Sequence, residues 1–129
     1  MARFLIVGGG ERATALADDV RREGHAVAAI GDAERLGPLL AALEHVAIVC
    51  WLAVEASPER FLLGAVDSSM RGFLYSEAEW EGAVLETAAR NSIPTEALRA
   101  DPDDPKAWLV QARAGIDRLL DGRYAATYG

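Results

Sequence analysis

Two periodicities alternate along this chain, and together they predict its elements. Phe4 Leu5 Ile6 Val7 is an unbroken apolar run that stops at Gly8 Gly9 Gly10. It reads as a strand, Arg3–Val7. A helical spacing then takes over across residues 11–23, with Ala13, Leu16, Ala17 and Val20 on one face and Gly24 as the stop signal. Ala26–Ile30 reads as a second strand. Asp32 has the side chain of a helix cap for residues up to about 44, with Leu36, Leu39, Leu40 and Leu43 on one face and Pro38 in the tolerated first turns. The stretch 45–52 contains Val46 Ala47 Ile48 Val49 Cys50 Trp51 Leu52, apolar throughout, as expected of a strand covered on both faces.

The second half repeats the alternation. Ser57-Pro58 opens a helix to about residue 69 in the cap-then-proline order. Residues 72–75 form a fourth strand. A helix over 79–91 presents Trp80, Val84, Leu85 and Ala88 inward, and Ser76 with Glu79 has the spacing of a capping box. A fifth strand covers 93–99, entered through Pro94. Asp104-Pro105 starts a last helix over 106–120, closed by Gly122. Strands alternating with helices of this length predict an α/β fold, a five-stranded parallel sheet with helices on both faces. Strand order 2-1-3-4-5 is preferred, with 3-2-1-4-5 as the alternative. The expected domain is 1–122, with 123–129 as a tail whose Tyr124 and Tyr128 are available to dock on it.

Composition narrows the classes. At 129 residues and 51% hydrophobic content the chain can bury a core of its own. A net charge of −7 argues against nucleic acid or an acidic membrane as partner. The single Cys50 allows no internal disulfide, and no stretch approaches the roughly 20 apolar residues of a membrane span. The short N-terminal apolar run leads straight into a fold signal, unlike a secretion signal. A cytoplasmic protein is the expectation.

The chemistry-bearing pattern is strand, glycine turn, helix. Gly8-x-Gly10-x-x-Ala13 fits the fingerprint G-x-G-x-x-[GA], whose free amides and helix N-terminus suit a dinucleotide pyrophosphate. Gly8, Gly9, Gly10, Arg12 and Ala13 are therefore candidate cofactor contacts. Asp32, 24 residues beyond Gly8, stands near the place of a ribose-binding acid. Glu11 puts an unfavourable carboxylate beside the expected phosphates, and Arg12 offers compensation. An empty turn kept only for close packing, and Asp32 as a mere cap, are the competing readings.

These motifs, with Gly24 His25 Ala26 Val27 and Val49 Cys50 Trp51 Leu52 Ala53, resemble the extended, epimerase/dehydratase-like short-chain dehydrogenases/reductases. The resemblance covers roughly residues 3–99. It implies a Rossmann-like domain binding NAD or NADP, with Trp51 and Leu52 beside the cofactor, although Trp51 reads more readily as core. Gly31, where NADP-preferring relatives often have arginine, favours NAD; Arg35 is near enough to reverse this.

The chain departs from the family where catalysis would reside. Lys106 is its only lysine and has Pro102 four residues before it, so no Tyr-x-x-x-Lys pair exists. Catalytic residues are therefore unassigned. Ser76 and Glu77 are the local candidates for acid–base work, against which stands their reading as caps. His25 and His45 read as structural, Cys50 as core, and Asp101, Asp103 and Asp104 as a solvated loop rather than a metal site. Three functions stay open: a minimal NAD(P)-binding protein acting as sensor, regulator or degenerate relative; an oxidoreductase or epimerase-like enzyme with non-standard residues; and a structural or interaction protein with an empty turn. The last helix, with Trp108, Leu109, Ile116, Leu119 and Leu120, is suited to pack on the sheet and also on a mate, so a homodimer is among the expectations.

Overall fold

The computed structural model describes residues 2–101 and 103–121. Five strands and five helices alternate: β1 (Arg3–Val7), α1 (Glu11–Arg22), β2 (Ala26–Ile30), α2 (Leu36–Ala41), β3 (Ile48–Trp51), α3 (Glu59–Ala65), β4 (Gly72–Ser76), α4 (Glu81–Arg90), β5 (Thr95–Leu98) and α5 (Pro105–Asp121). All pairings are parallel and the order is β2-β1-β3-β4-β5. This is a Rossmann-like doubly wound sheet. The order 2-1-3-4-5 holds, and 3-2-1-4-5 does not. No helix among the described residues is long and apolar enough to cross a membrane.

The continuous apolar runs predict the centre of the sheet correctly because β1, β3 and β4 are walled on both sides. Phe4 and Ile6 pack with Ile48, Cys50 and Leu74 beneath α1 and α5. Leu5 and Val7 pack with Val49, Trp51, Phe73 and Tyr75 beneath α2, α3 and α4. The stripe Ala13, Leu16, Ala17, Val20 is buried as the helical spacing predicts. Burying a large aliphatic side chain contributes about 1.5–3 kcal/mol, so these two layers supply most of the drive to fold.

Two helices end on a left-handed residue, and α5 begins on a side-chain cap. α1 closes with a Schellman motif: the Gly24 N–H donates to the Arg21 carbonyl (2.9 Å) and the His25 N–H to the Val20 carbonyl (3.3 Å), with Gly24 at φ +90°. α4 closes in the same way, but with Ser92 at φ +56° where glycine is favoured. Its Ile93 N–H donates to the Ala88 carbonyl (2.9 Å). The α5 start also matches expectation, since the Asp104 carboxylate accepts the Ala107 N–H (3.1 Å).

Four local expectations fail. Asp32 caps no helix: α2 begins at Leu36, and Asp32 Oδ1 instead accepts the Glu34 N–H (3.0 Å) in a turn of its own. The Ser76–Glu79 capping box does not form, because Ser76 is still in β4 and α4 starts at Glu81 without a side-chain cap. Leu85 points outward at 38% exposure. Thr87 is buried in its stead, its hydroxyl returned to the Ala83 carbonyl (3.0 Å). Finally, α3 stops at Ala65 rather than near 69, where Ser68 donates its hydroxyl to the Ala65 carbonyl (2.7 Å) and ends the helix. Gly122 and the proposed tail with Tyr124 and Tyr128 lie outside the described residues.

Candidate functional site

The sheet order makes the gap between β1 and β3 the topological switch point, where the chain leaves β1 toward one edge and β3 toward the other. In open α/β sheets ligands bind at the carboxyl end of such a gap. Three segments meet there. The Gly8 N–H donates to the Ile30 carbonyl (2.9 Å), which sets Gly31 and Asp32 beside the glycine turn. The Leu52 N–H donates to the Val7 carbonyl (2.8 Å), which brings Leu52 and Ala53 against its other side.

The three glycines do different work. Gly8 is buried at φ +123°, and a Cβ there would lie 3.0 Å from the Ala53 nitrogen and 3.2 Å from the Leu52 carbonyl carbon. Those neighbours are backbone and cannot swing aside, so Gly8 sets the close approach of β1 to the chain leaving β3. Gly10 is the N-cap of α1 at φ +97° and contributes no side chain to the helix end. Gly9 and Gly10 are exposed, and a Cβ on either would meet nothing within 4 Å. The space in which a side chain would stand on these two residues is therefore open.

Around that space, Arg12 is exposed and takes part in no ion pair among the described residues. Glu11 is exposed one residue earlier, so both signs of charge stand at the mouth. Ala13 is buried under the first turn, its methyl group small enough for α1 to sit close to the sheet. Asp32 is exposed, and one of its oxygens holds its own loop. Leu52 is half-buried. Trp51 is 1% exposed, with its indole N–H donated to the Ala56 carbonyl (2.9 Å) and its ring 5.4 Å from that of Phe61. Its core reading holds: the indole supports the chain after β3 from below. Ala53, the last residue of the Trp51 Leu52 Ala53 segment, presents its backbone nitrogen to Gly8.

Across the same edge, the ends of β4 and β5 are closed by side chains. Arg99 forms a fork with Glu81 (2.7 and 3.3 Å) and also reaches Glu77 (3.3 Å). The Gln111 carbonyl oxygen accepts the Arg99 and Ala100 N–H groups (2.6 and 2.8 Å). Trp80 donates its indole N–H to the Val54 carbonyl (3.1 Å) and packs on Tyr75, with ring centroids 5.7 Å apart. Burial pushes the Tyr75 phenol above its usual value, and the Glu81 charge adds to the effect. Glu77 is engaged by Arg99, and Ser76 is 8% exposed.

The remaining candidates fall outside this edge. Cys50 is fully buried in β3, and desolvation pushes its thiol up to about 12, which removes the thiolate that nucleophilic chemistry needs. His25 Nδ1 accepts the Ala2 N–H (2.9 Å), and its ring rests on Phe4. His45 is exposed next to Glu44. Asp101 accepts the Asp103 N–H, as a loop turn does (2.9 Å). No group of three or more His, Cys, Asp or Glu side chains suited to a metal occurs among the described residues.

Comparison of the chain with protein-family models, with curated proteins and with solved structures finds no match.

Proposed function

We propose that this chain binds a nicotinamide dinucleotide, NAD or NADP, at the carboxyl edge between β1 and β3, and that it acts as a cofactor sensor or regulatory protein. In this reading it is a short-chain-dehydrogenase-like Rossmann protein of the cytoplasm that lacks the family's Tyr-x-x-x-Lys pair. The observation that carries the reading is the glycine turn. Gly8 packs against the backbone at Leu52 and Ala53, while Gly9 and Gly10 leave open space at the start of α1. An empty packing turn needs the first feature; the second is what a bound pyrophosphate needs.

The amides of Gly9, Gly10 and residues 11–13 then hold the phosphates, and Arg12 supplies the countercharge that Glu11 makes necessary. Ala13 keeps the helix end close to the sheet. Asp32 accepts the ribose hydroxyls through its uncommitted oxygen and repels a 2′-phosphate, which favours NAD. Leu52 flanks the cofactor, and Trp51 supports that wall. A bound nicotinamide would supply hydride chemistry, for which the chain's nearest acid–base groups are Ser76 and Glu77.

The test is thermal-shift and calorimetric titration with NAD, NADH, NADP and NADPH, since a ligand that binds only the native state raises its stability. The expected result is a saturable rise in Tm, larger with NAD(H), which Gly9→Val abolishes without altering the Tm of the free protein. Gly9 is the residue to change because its conformation accepts a side chain and its Cβ meets no protein atom. No Tm response to any of the four cofactors would leave the turn as packing alone.

A further inference from the structure

The sheet has two edges, and only one is defended against pairing with another chain. β5 is entered through Pro94 and carries Glu96, which is bound by Arg118 (2.6 Å), with Arg99 at its end. Proline and charge are the usual means of blunting an edge. β2 reads Ala-Val-Ala-Ala-Ile, with no charge and no proline, and every residue in it is half-buried or exposed. The hydrogen bonds from Gly8 N–H to the Ile30 carbonyl and from Ala26 N–H to the Ala2 carbonyl turn the even-numbered residues toward β1. Val27 and Ala29 therefore direct their N–H and C=O groups away from the sheet.

We propose that β2 is a dimer interface, at which a second copy of this chain adds its own β2 antiparallel across a two-fold axis to make a continuous ten-stranded sheet. Geometry sets the register. Val27 of one copy faces Ala29 of the other in both hydrogen-bonded pairs, and the two Ala28 residues meet on the axis as a non-hydrogen-bonded pair, with Cα atoms about 4.5 Å apart. Methyl side chains at 26, 28 and 29 let the strands approach without a clash.

Charge selects a second copy, run antiparallel, as the occupant. Arg3 and Arg22 are exposed at the amino end of β2, and Asp32 and Glu34 are exposed just past its carboxyl end. Antiparallel pairing sets each basic end against the partner's acidic end. Glu23 at the amino end is already matched by Arg113 (3.4 Å), while Arg35 past the carboxyl end runs against the pattern. On α5, Trp108, Ile116 and Leu119 are at 2–3% exposure against the sheet, and Leu109 and Leu120 are half-buried against the same cluster.

Sedimentation equilibrium tests the proposal, together with Ala28→Cys under mild oxidation. The expected results are a dimer whose Kd rises with salt, and a disulfide across the axis from Ala28→Cys but none from Ala15→Cys on the exposed face of α1. Ala29→Pro removes an outward N–H and is expected to raise Kd at least about tenfold, or roughly 1.4 kcal/mol. Ala29→Lys, at an exposed position, reads the same loss should the proline variant fail to fold. A wild-type chain that stays monomeric at every concentration overturns the proposal. So does a dimer that keeps its Kd in Ala29→Lys and forms no Ala28→Cys crosslink.

Discussion

The β1-α1-β2 unit and the β4-α4-β5 unit have the same kind of connection and open on the same carboxyl end of the sheet, yet they finish that end in opposite ways. Both helices start without a side-chain cap. In the first unit a Cβ added at Gly9 or Gly10, beside the helix start, would meet no described atom within 4 Å. In the second, Arg99 holds Glu81 in the first turn of α4, Trp80 reaches across to Val54, and Gln111 takes up the amides that follow β5. A bare helix start therefore says little until its surroundings are known. The difference between the units lies in what tertiary neighbours supply, and it is why the candidate site is assigned to the first.

Four changes would break or sharpen this contrast. The largest effect is expected from Gly8→Val, which combines a left-handed backbone with a Cβ against the Ala53 nitrogen and should cost about 3 kcal/mol or more. Chemical denaturation would measure it; a near-normal stability would show that the β1 and β3 ends separate readily.

Next comes alkaline pH, acting through Cys50 on the strand between the units. The folded protein holds the thiol proton up to about 12, against 9.0 for a free thiol. Its contribution to stability is complete below about 9 and is lost as pH rises toward 12. Comparing Cys50→Ala with the wild type over that range isolates the term, and the wild type should show the steeper decline.

Gln111→Ala should destabilise by about 1–2 kcal/mol, since two backbone donors lose their acceptor. It should also raise amide exchange at Arg99 and Ala100 while leaving Gly9 and Gly10 unchanged. The smallest effect is a reciprocal exchange at the two Schellman ends. Ser92→Gly should stabilise by roughly 0.5–1 kcal/mol and Gly24→Ser should cost about as much, because the same left-handed position is held by serine in one unit and glycine in the other. Equal and opposite shifts in Tm would confirm that the closures are equivalent.

Much of this architecture was legible residue by residue. Five strands, five helices and the inner stripe of α1 follow from periodicity, because a central parallel strand must be apolar on both faces and a covering helix on one. The glycine turn was legible too, since a left-handed backbone at a strand-to-helix turn favours glycine. What misled was polar chemistry that admits several partners. Asp32 had the spacing of a cap, but its carboxylate found the nearer Glu34 amide. Ser76 and Glu79 had the spacing of a capping box, but pairing with β5 kept Ser76 in the strand. On α4 the buried stripe runs Val84, Thr87, Ala88, and Thr87 takes the inward place because its hydroxyl is satisfied by the Ala83 carbonyl, while Leu85 lies outside that stripe.

The amino-acid order alone determined the succession of elements, the parallel sheet and the position of the glycine turn, since each depends on local sterics and on burial period. Only the tertiary structure decided that Gly8 is pinned by Ala53, that Arg99 and Gln111 close the far half of the edge, and that no described residue pairs with the outer side of β2. Those outcomes join residues distant in the chain, and no local preference encodes which distant backbone or side chain will arrive beside them.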